Sequence, residues 1–490
     1  MPGIAPLACA TNSTHTYDPQ SRLGLGQVLA SLSYALDLTE GQPEGHAARS
    51  CVIGMQIAEQ LDMPSADRAA LYYALLLKDA GCSSNAAKMA YLFGADDRKL
   101  KHDLKTVDWQ RAGNNLRFMR AQVAPTGTAL EKLLKMGAML LQGPSGAKKL
   151  VQTRCERGAT IVRDLGFPEA SAQAVLDLDE HWNGHGHPRG LRGEEISLLG
   201  RICGLAQTVE VFFTKLGPQA ALEMAQARSG QWFDPQLVQA LLAVTRHGRL
   251  WGILNAADPA AAAAHYEPED SSFVADEHRL DAVARAFAAV VDAKSPWTYR
   301  HSTRVSEIAV GMATRMGFDP LRLRRLQRTA LLHDVGKLGV SNLVLDKPGK
   351  LTDDEFTAMK KHPEFSEAIL TGVLPFADQA MIAGAHHERL DGRGYYRGIP
   401  SAELPAEARI LMVADVYEAL TAARPYREAV PQEKVIEMLR RDMGWQACPT
   451  AVEALQSWLA GTELATRVDD QLAAMDRLLD DLGSPVCTTC

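Results

Sequence analysis

A chain of 490 residues, 46% apolar and 23% charged, has the length for two or three cored domains and the makeup of an ordinary globular protein. Its formal net charge of −7 argues against general binding to a nucleic acid polymer. No run approaches the roughly 18 apolar residues that a crossing helix needs, so no membrane span is expected.

Residues 1–20 form an N-terminal segment without the basic start and apolar core of a signal peptide. Together with eight scattered cysteines, this points to a reducing, cytoplasmic setting. Beyond it, Leu-, Ala- and Arg-rich amphipathic stretches dominate and alternating β-branched runs are scarce, so an all-α fold is expected. Gly45-His46-Ala47-Ala48-Arg49 is followed by Leu76-Leu77-Lys78-Asp79-Ala80-Gly81-Cys82. Residues 83–153 are basic (Arg98, Lys99, Lys101, Lys105, Arg111, Arg117, Arg120) and read as a solvated helical surface. A Gly-rich stretch then carries His181, His185 and His187. Residues 251–278, with an Ala run from Ala260 to Ala264 between Pro259 and Pro268, read as a linker. At the far end, residues 463–482 form an amphipathic pattern through Leu472, Met475, Leu478 and Leu479. Cys487 and Cys490 make one C-x-x-C, which alone is weak support for a metal or redox role.

The chemistry concentrates between these last two regions. His333-Asp334 ends the apolar run Leu331-Leu332, where a charge is costly unless paired or metal-bound. His301 opens a helical pattern with Val305, Ile308, Ala309 and Met312 on its own face. Asp415 interrupts Ile410-Leu411-Met412-Val413-Ala414, another apolar helical run. His362 and the vicinal pair His386-His387, just before the turn Asp391-Gly392-Arg393-Gly394, complete the group. Five imidazoles and two carboxylates suit first-row ions such as Fe, Mn, Zn, Co or Ni. Seven ligands are too many for one tetrahedral ion and match two ions sharing a carboxylate.

Residues 295–430 resemble the HD-GYP family of cyclic dinucleotide phosphodiesterases. The motifs are Arg300-His301-Ser302-Thr303-Arg304-Val305, Leu332-His333-Asp334-Val335-Gly336-Lys337, Lys347-Pro348-Gly349-Lys350-Leu351-Thr352, His362, His386-His387-Glu388, Val413-Ala414-Asp415 and Arg424-Pro425-Tyr426-Arg427. The resemblance implies that His301, His333, Asp334 and Asp415 hold one ion and that His362, His386 and His387 hold the second, with Asp334 bridging. It implies two divalent ions, Fe first and Mn second. They would share a water whose pKa they lower, giving the hydroxide that attacks a phosphodiester of cyclic di-GMP. Lys337 and Asp334 take the catalytic roles, Lys337 contacting the scissile phosphate. Tyr395, Arg424 and Arg427 would contact substrate. The chain departs from the family pattern at Gly394-Tyr395-Tyr396, where the namesake proline is Tyr396. Trp297 stands where some members carry a Glu that recruits a third metal, which leaves a two-metal site.

The chain also repeats itself. His46 and Asp79 precede His301 and Asp334 by 255 positions, and His181–Leu191 precedes Arg389–Ile399 by 208. On this register Lys78 replaces His333, Arg154 replaces His362, Leu178 and Asp179 replace His386 and His387, Gln207 replaces Asp415 and Cys82 replaces Lys337. Residues 21–250 are therefore expected to be a degenerate HD-type domain, inactive and regulatory, with its insertion near 83–153. Residues 279–462 are the complete copy, and 463–490 a C-terminal helix and tail. His181, His185 and His187 fall on the substrate-mouth turn rather than the ligand helices. The implied partner is a cyclic dinucleotide, with a second copy or a signalling protein as a further partner. Two alternatives stand beside cyclic di-GMP hydrolysis: a 3′,3′-cyclic GMP-AMP phosphodiesterase, or a signalling scaffold with little turnover.

Overall fold

The computed structural model describes residues 23–108, 112–246, 248–269, 273–423 and 428–461. The amphipathic stretches of the first half form α1 (Leu25–Thr39), α2 (His46–Gln60), α3 (Ser65–Leu77), α4 (Ala86–Phe93), α5 (Asp97–Leu104), α6 (Ala112–Gln122), α7 (Ala129–Asp164), α8 (Glu169–Asp177), α9 (Leu198–Leu216), α10 (Pro218–Ala227) and α11 (Pro235–Thr245). Two short helices follow, α12 (Arg249–Leu254) and α13 (Pro259–Ala264). The second half runs α14 (Glu277–Asp292), α15 (His301–Arg315), α16 (Pro320–Leu332), α17 (Asn342–Leu345), α18 (Asp353–Met359), α19 (His362–Thr371), α20 (Ala377–Gly384), α21 (Ala406–Thr421) and α22 (Gln432–Arg441). The fold is all-α. Among the described residues, β pairing is limited to isolated bridges such as Asn183 with Arg192. No helix among them is long and apolar enough to cross a membrane.

The repeat read from the sequence is a repeat of elements. Helices α1, α2, α3, the end of α7, α8 and α9 recur as α14, α15, α16, α19, α20 and α21 at the two offsets. The matched helices start by matched devices. Asp37 at the end of α1 accepts from the backbone N–H groups of Gly45 and Ala47, at 2.8 and 3.0 Å, and so fixes the entry to α2. Asp292 does the same for α15, accepting from the Ser302 N–H and hydroxyl. The residue before the helix has positive φ in both copies: Gly45 at 86° and Arg300 at 58°. A glycine adopts that conformation freely, whereas an arginine there is strained.

Helices α4–α6 and the start of α7 are the insertion. They close over a small core of Met89, Phe93, Leu100, Phe118 and Val123. The main core runs through both halves without a break. It joins Leu29, Leu36, Ile53, Leu75 and Ile202 of the first to Leu331, Leu332, Val335, Leu338, Leu370 and Phe376 of the second. A separate cluster of Val305, Met312, Leu326, Leu411, Val413 and Leu455 backs the other side of the second copy.

Residues 251–278 are not the free connection that their composition suggests. Leu254, Ala263 and Ala275 are buried in the main core, and Glu267 accepts from the Tyr73 hydroxyl at 2.6 Å and the Gly26 N–H at 3.2 Å. The Ala run masks this role because its small side chains let α13 lie close against α2.

The turn after His333-Asp334 packs directly on α19. A Cβ on Gly336 would stand 2.0 Å from the His362 carbonyl oxygen and 2.6 Å from the Ser366 nitrogen. The first copy repeats this approach: a Cβ on Gly81 would stand 1.9 Å from the Arg154 carbonyl oxygen. Gly336→Ala is expected to cost about 1–3 kcal/mol through forced separation of the two segments. Gly252→Ala, in open space on α12, should be neutral or slightly stabilising. Thermal unfolding of the two variants checks the contrast.

Candidate metal centre

Four of the five histidines of the centre are aimed by a partner on the far nitrogen. A carbonyl oxygen can only accept, so Nδ1 must donate where it meets one. His333 Nδ1 donates to Ala330 O at 2.7 Å, His362 Nδ1 to Met359 O at 2.7 Å, and His386 Nδ1 to Ala383 O at 2.6 Å. All three are therefore fixed in the tautomer whose bare Nε2 points inward. They can do this because each sits at a helix terminus, where it reaches the carbonyl three residues back. His301 is aimed differently, by a hydrogen bond from Nδ1 to the Glu418 carboxylate.

The inward atoms converge. His301, His333 and Asp415 bring ligand atoms within 4.8 Å of one another, and so do His362, His386 and His387. Asp334 lies between the two groups. Its Oδ2 is 3.3 Å from both His301 Nε2 and His333 Nε2. Its Oδ1 is 3.5 Å from both His362 Nε2 and His386 Nε2. His301 Nε2, His333 Nε2 and Asp334 Oδ1 are buried without a hydrogen-bond partner. His362 Nε2 and His386 Nε2 face each other at 3.0 Å. Bare nitrogens and carboxylate oxygens aimed at common points are a donor set for divalent cations. The residues fit a binuclear centre.

The electrostatics agree with this reading. Burial pushes the Asp334 carboxyl up, but the Lys337 ammonium and the surrounding imidazoles outweigh it and hold the group well below its ordinary value. Burial pushes His301 down, yet the carboxylates of Asp334, Asp415 and Glu418 around it carry it well above. Burial holds His362 well below the ordinary histidine value, and holds His387 down at about 3 with help from neighbouring His386. One side of the centre thus attracts positive charge and the other offers neutral nitrogens.

All seven expected ligands meet at this centre. Lys337 pairs with Asp334 and is partly exposed toward the opening. The Tyr395 ring lies 4.7 Å from that of His387 and 5.7 Å from that of Phe356, and both Tyr395 and Phe356 are exposed beside the centre. Trp297 is in the turn before His301, with its backbone N–H donating to the Ser295 hydroxyl. Arg424 and Arg427 lie outside the described residues, as do the 463–482 pattern, Cys487 and Cys490.

The roles of two residues, Glu418 and the motif residue Glu388, escaped the sequence reading. Glu418 looks like a solvated helix carboxylate but is buried against His301. Glu388 accepts from the N–H groups of Arg397, Gly398 and Ile399 and so shapes the Gly-rich turn. The repeat held the signal for both, since Glu210 and Glu180 precede them by the same 208 positions. Glu210 bonds to His46 and to Arg49, and Glu180 to the turn at Arg189, Gly190 and Leu191.

The corresponding place in the first copy is filled by the protein's own cations. Lys78 Nζ lies 2.8 Å from His46 Nε2 and pairs with Asp79. Lys105 Nζ reaches Glu40 at 3.0 Å, His46 Nε2 at 3.3 Å and Asp79 at 3.6 Å. Arg154 pairs with Asp179. Glu40, Asp79 and Cys82 approach within 4.8 Å, but the Lys105 ammonium already pairs with both carboxylates. Lys101 and Lys105 are therefore not part of the solvated surface that the basic run suggested. Their partners, Glu40 and Asp79, are remote in sequence and invisible to local charge patterning. His181 stacks on Trp232 at 4.2 Å, away from this cluster.

A family model described as HD domain matches residues 145–237 and 285–445, one stretch in each half. The chain belongs to the HD domain family. Its HD-type halves are also found together in a relative. The 3′3′-cGAMP-specific phosphodiesterase 3 of Vibrio cholerae serotype O1 is 40% identical over 90% of this chain and 95% of its own length. A crystal structure of a cyclic GMP-AMP-specific phosphodiesterase of V. cholerae, V-cGAP3, superposes with a TM-score of 0.63 at 36% identity, covering 89% of this chain and 98% of that one. The cyclic di-GMP phosphodiesterase response regulator RpfG of Xanthomonas campestris pv. campestris is 37% identical over 37% of this chain and 48% of its own.

Glu418→Gln removes the charge that orients His301. It should weaken retention of divalent metal about 10- to 100-fold, read by chelator competition, whereas Glu210→Gln in the other HD-type half should leave retention unchanged.

Proposed function

We propose that this chain is a metal-dependent cyclic dinucleotide phosphodiesterase whose second HD-type copy opens 3′,3′-cyclic GMP-AMP. The observation that carries the reaction type is the position of Asp334, with one carboxylate oxygen toward each group of histidines. His301, His333 and Asp415 would hold one ion and His362, His386 and His387 the other, with Fe favoured and Mn second. When bound, such a pair polarises a phosphodiester and lowers the pKa of a shared water.

The chain's own residues divide the remaining work. Lys337 Nζ, beside Asp334 and open to the mouth, is placed to hold a proton for the leaving oxygen and to steady the scissile phosphate. The Tyr395 and Phe356 rings give a face against which a base can stack. Arg424 and Arg427 would grip the second phosphate through bidentate guanidinium contacts.

The base preference rests on how much of the chain is shared. Relatives matching about a third of it include both cyclic di-GMP and cyclic GMP-AMP phosphodiesterases, so that third does not discriminate. The relative matching both halves is named for 3′3′-cGAMP. The first copy is read as inactive because Lys78, Lys105 and Arg154 occupy the positions cations would need. The described cysteines are unpaired, which fits a reducing compartment such as the cytoplasm.

Metal-loaded protein incubated with a panel of cyclic dinucleotides, followed by chromatography of the products, tests substrate and product together. Faster consumption of 3′,3′-cyclic GMP-AMP than of cyclic di-GMP is expected, and the reverse order would return the assignment to cyclic di-GMP. Asp334→Ala should abolish hydrolysis and release the metal, while Asp79→Ala should leave turnover largely intact. Equal losses would show that both copies take part in the chemistry.

A further inference from the structure

The insertion of the first copy meets the second through α4, which packs on α17, and through one face of α5. Asp97, Lys101 and Lys105 follow each other at four-residue spacing along α5 and its C-cap, so they share a side. Lys105 and Lys101 enter the polar centre of the first copy. Lys101 Nζ donates to the carbonyls of Cys82 and Thr39, at 2.6 and 3.3 Å, and pairs with Glu40 at 3.6 Å. Asp97, fully buried at the start of that face, meets the second copy instead. Its Oδ1 accepts from the Asn342 N–H at 2.8 Å, and its Oδ2 pairs with Lys294 Nζ at 3.4 Å.

Both partners belong to segments that carry the metal centre. Lys294 begins the turn between Asp292 and His301. Within that turn Thr298 donates to the carbonyls of Asp292 and Ser295, and its own carbonyl accepts from the His301 N–H at 3.0 Å. Asn342 follows the turn of Asp334 and Lys337, to which it is joined through the Val340 N–H on Lys337 O. Asn342 also ties the two segments together, since its side-chain amide donates to Lys294 O at 2.7 Å and to Asp346 at 2.6 Å.

We infer that Asp97 is a positioning residue for the second copy's metal centre, clamping the segment before His301 to the segment after Asp334. The clamp rests on the reading of that centre as metal-binding. The Lys294 ammonium is almost fully buried, so without the Asp97 charge it must move or lose its proton, and either outcome loosens the turn that sets His301. Burial raises the Asp97 carboxyl, but the Lys294 and Lys101 ammoniums and the Asn342 N–H outweigh it, so the group stays ionised. The same α5 face ends among the cations of the first copy, which gives the inactive half a mechanical grip on the active one.

Full-length chain carrying Asp97→Asn, Lys294→Met or both tests the clamp by two readouts. Chelator competition should show divalent metal held about tenfold more weakly in Asp97→Asn, with recovery toward the parent value in the double variant, where no buried charge is left unpaired. Hydrogen exchange, which needs no metal, should rise in Asp97→Asn across residues 295–305 and 340–346. Unchanged exchange there overturns the clamp, as does a double variant no better than the single one. A uniform loss of thermal stability with unchanged metal affinity would reduce Asp97 to an ordinary core contact, which also overturns it. If the parent chain takes up no metal while exchange still rises, the metal reading falls and the clamp on these two segments stands.

Discussion

One carboxylate organises the second half of this protein. Asp334 presents an oxygen to each of two groups of imidazoles, and it can do so only because four segments are brought to it at once. The α15 start brings His301, the α16 end His333, the α19 start His362, and the end of α20 the vicinal pair. Helix termini recur because they let an imidazole bond a nearby carbonyl on one side while leaving the other nitrogen bare. The packing of Gly336 against α19 serves the same convergence, since any side chain there would hold His362 away.

The first half shows how the same scaffold balances its buried charges where Lys78 and Arg154 stand at the positions of His333 and His362. Buried Asp79 and Glu40 still need positive charge nearby, and lysine side chains supply it where ions would otherwise serve. Burial raises the Asp79 carboxyl, but Lys105 and Lys78 outweigh it and hold the group well below its ordinary value, while burial keeps His46 neutral, near 4. Substitution of Lys78 for a histidine therefore does more than delete a ligand. It places a covalently held positive charge beside Asp79.

The main features were legible because ionisable groups in apolar helices are conspicuous. His301, His333 and Asp415 each interrupt a run of buried aliphatic residues, and periodicity alone puts them on the inner face. The repeat was legible for the same reason, through His46, Asp79 and the Gly-rich turn. What stayed hidden depends on partners far apart in the chain. Glu418 and Lys105 are ordinary helix-surface residues until His301 and Glu40 are brought against them. Residues 251–278 have a linker's composition, yet Glu267 meets Tyr73 and Gly26 across the fold. Local sequence describes an element's own preference, not which surface will cover it.

The unbroken apolar core shared by the two halves bears on how such a duplication can change over time. The turn at Val335–Gly339 and helix α19 lean on α1 of the earlier repeat, so discarding that repeat would leave Val335, Leu338 and Leu370 wet. The earlier repeat is thus a wall of its sister's interior, and it can change at its surface more freely than it can be removed.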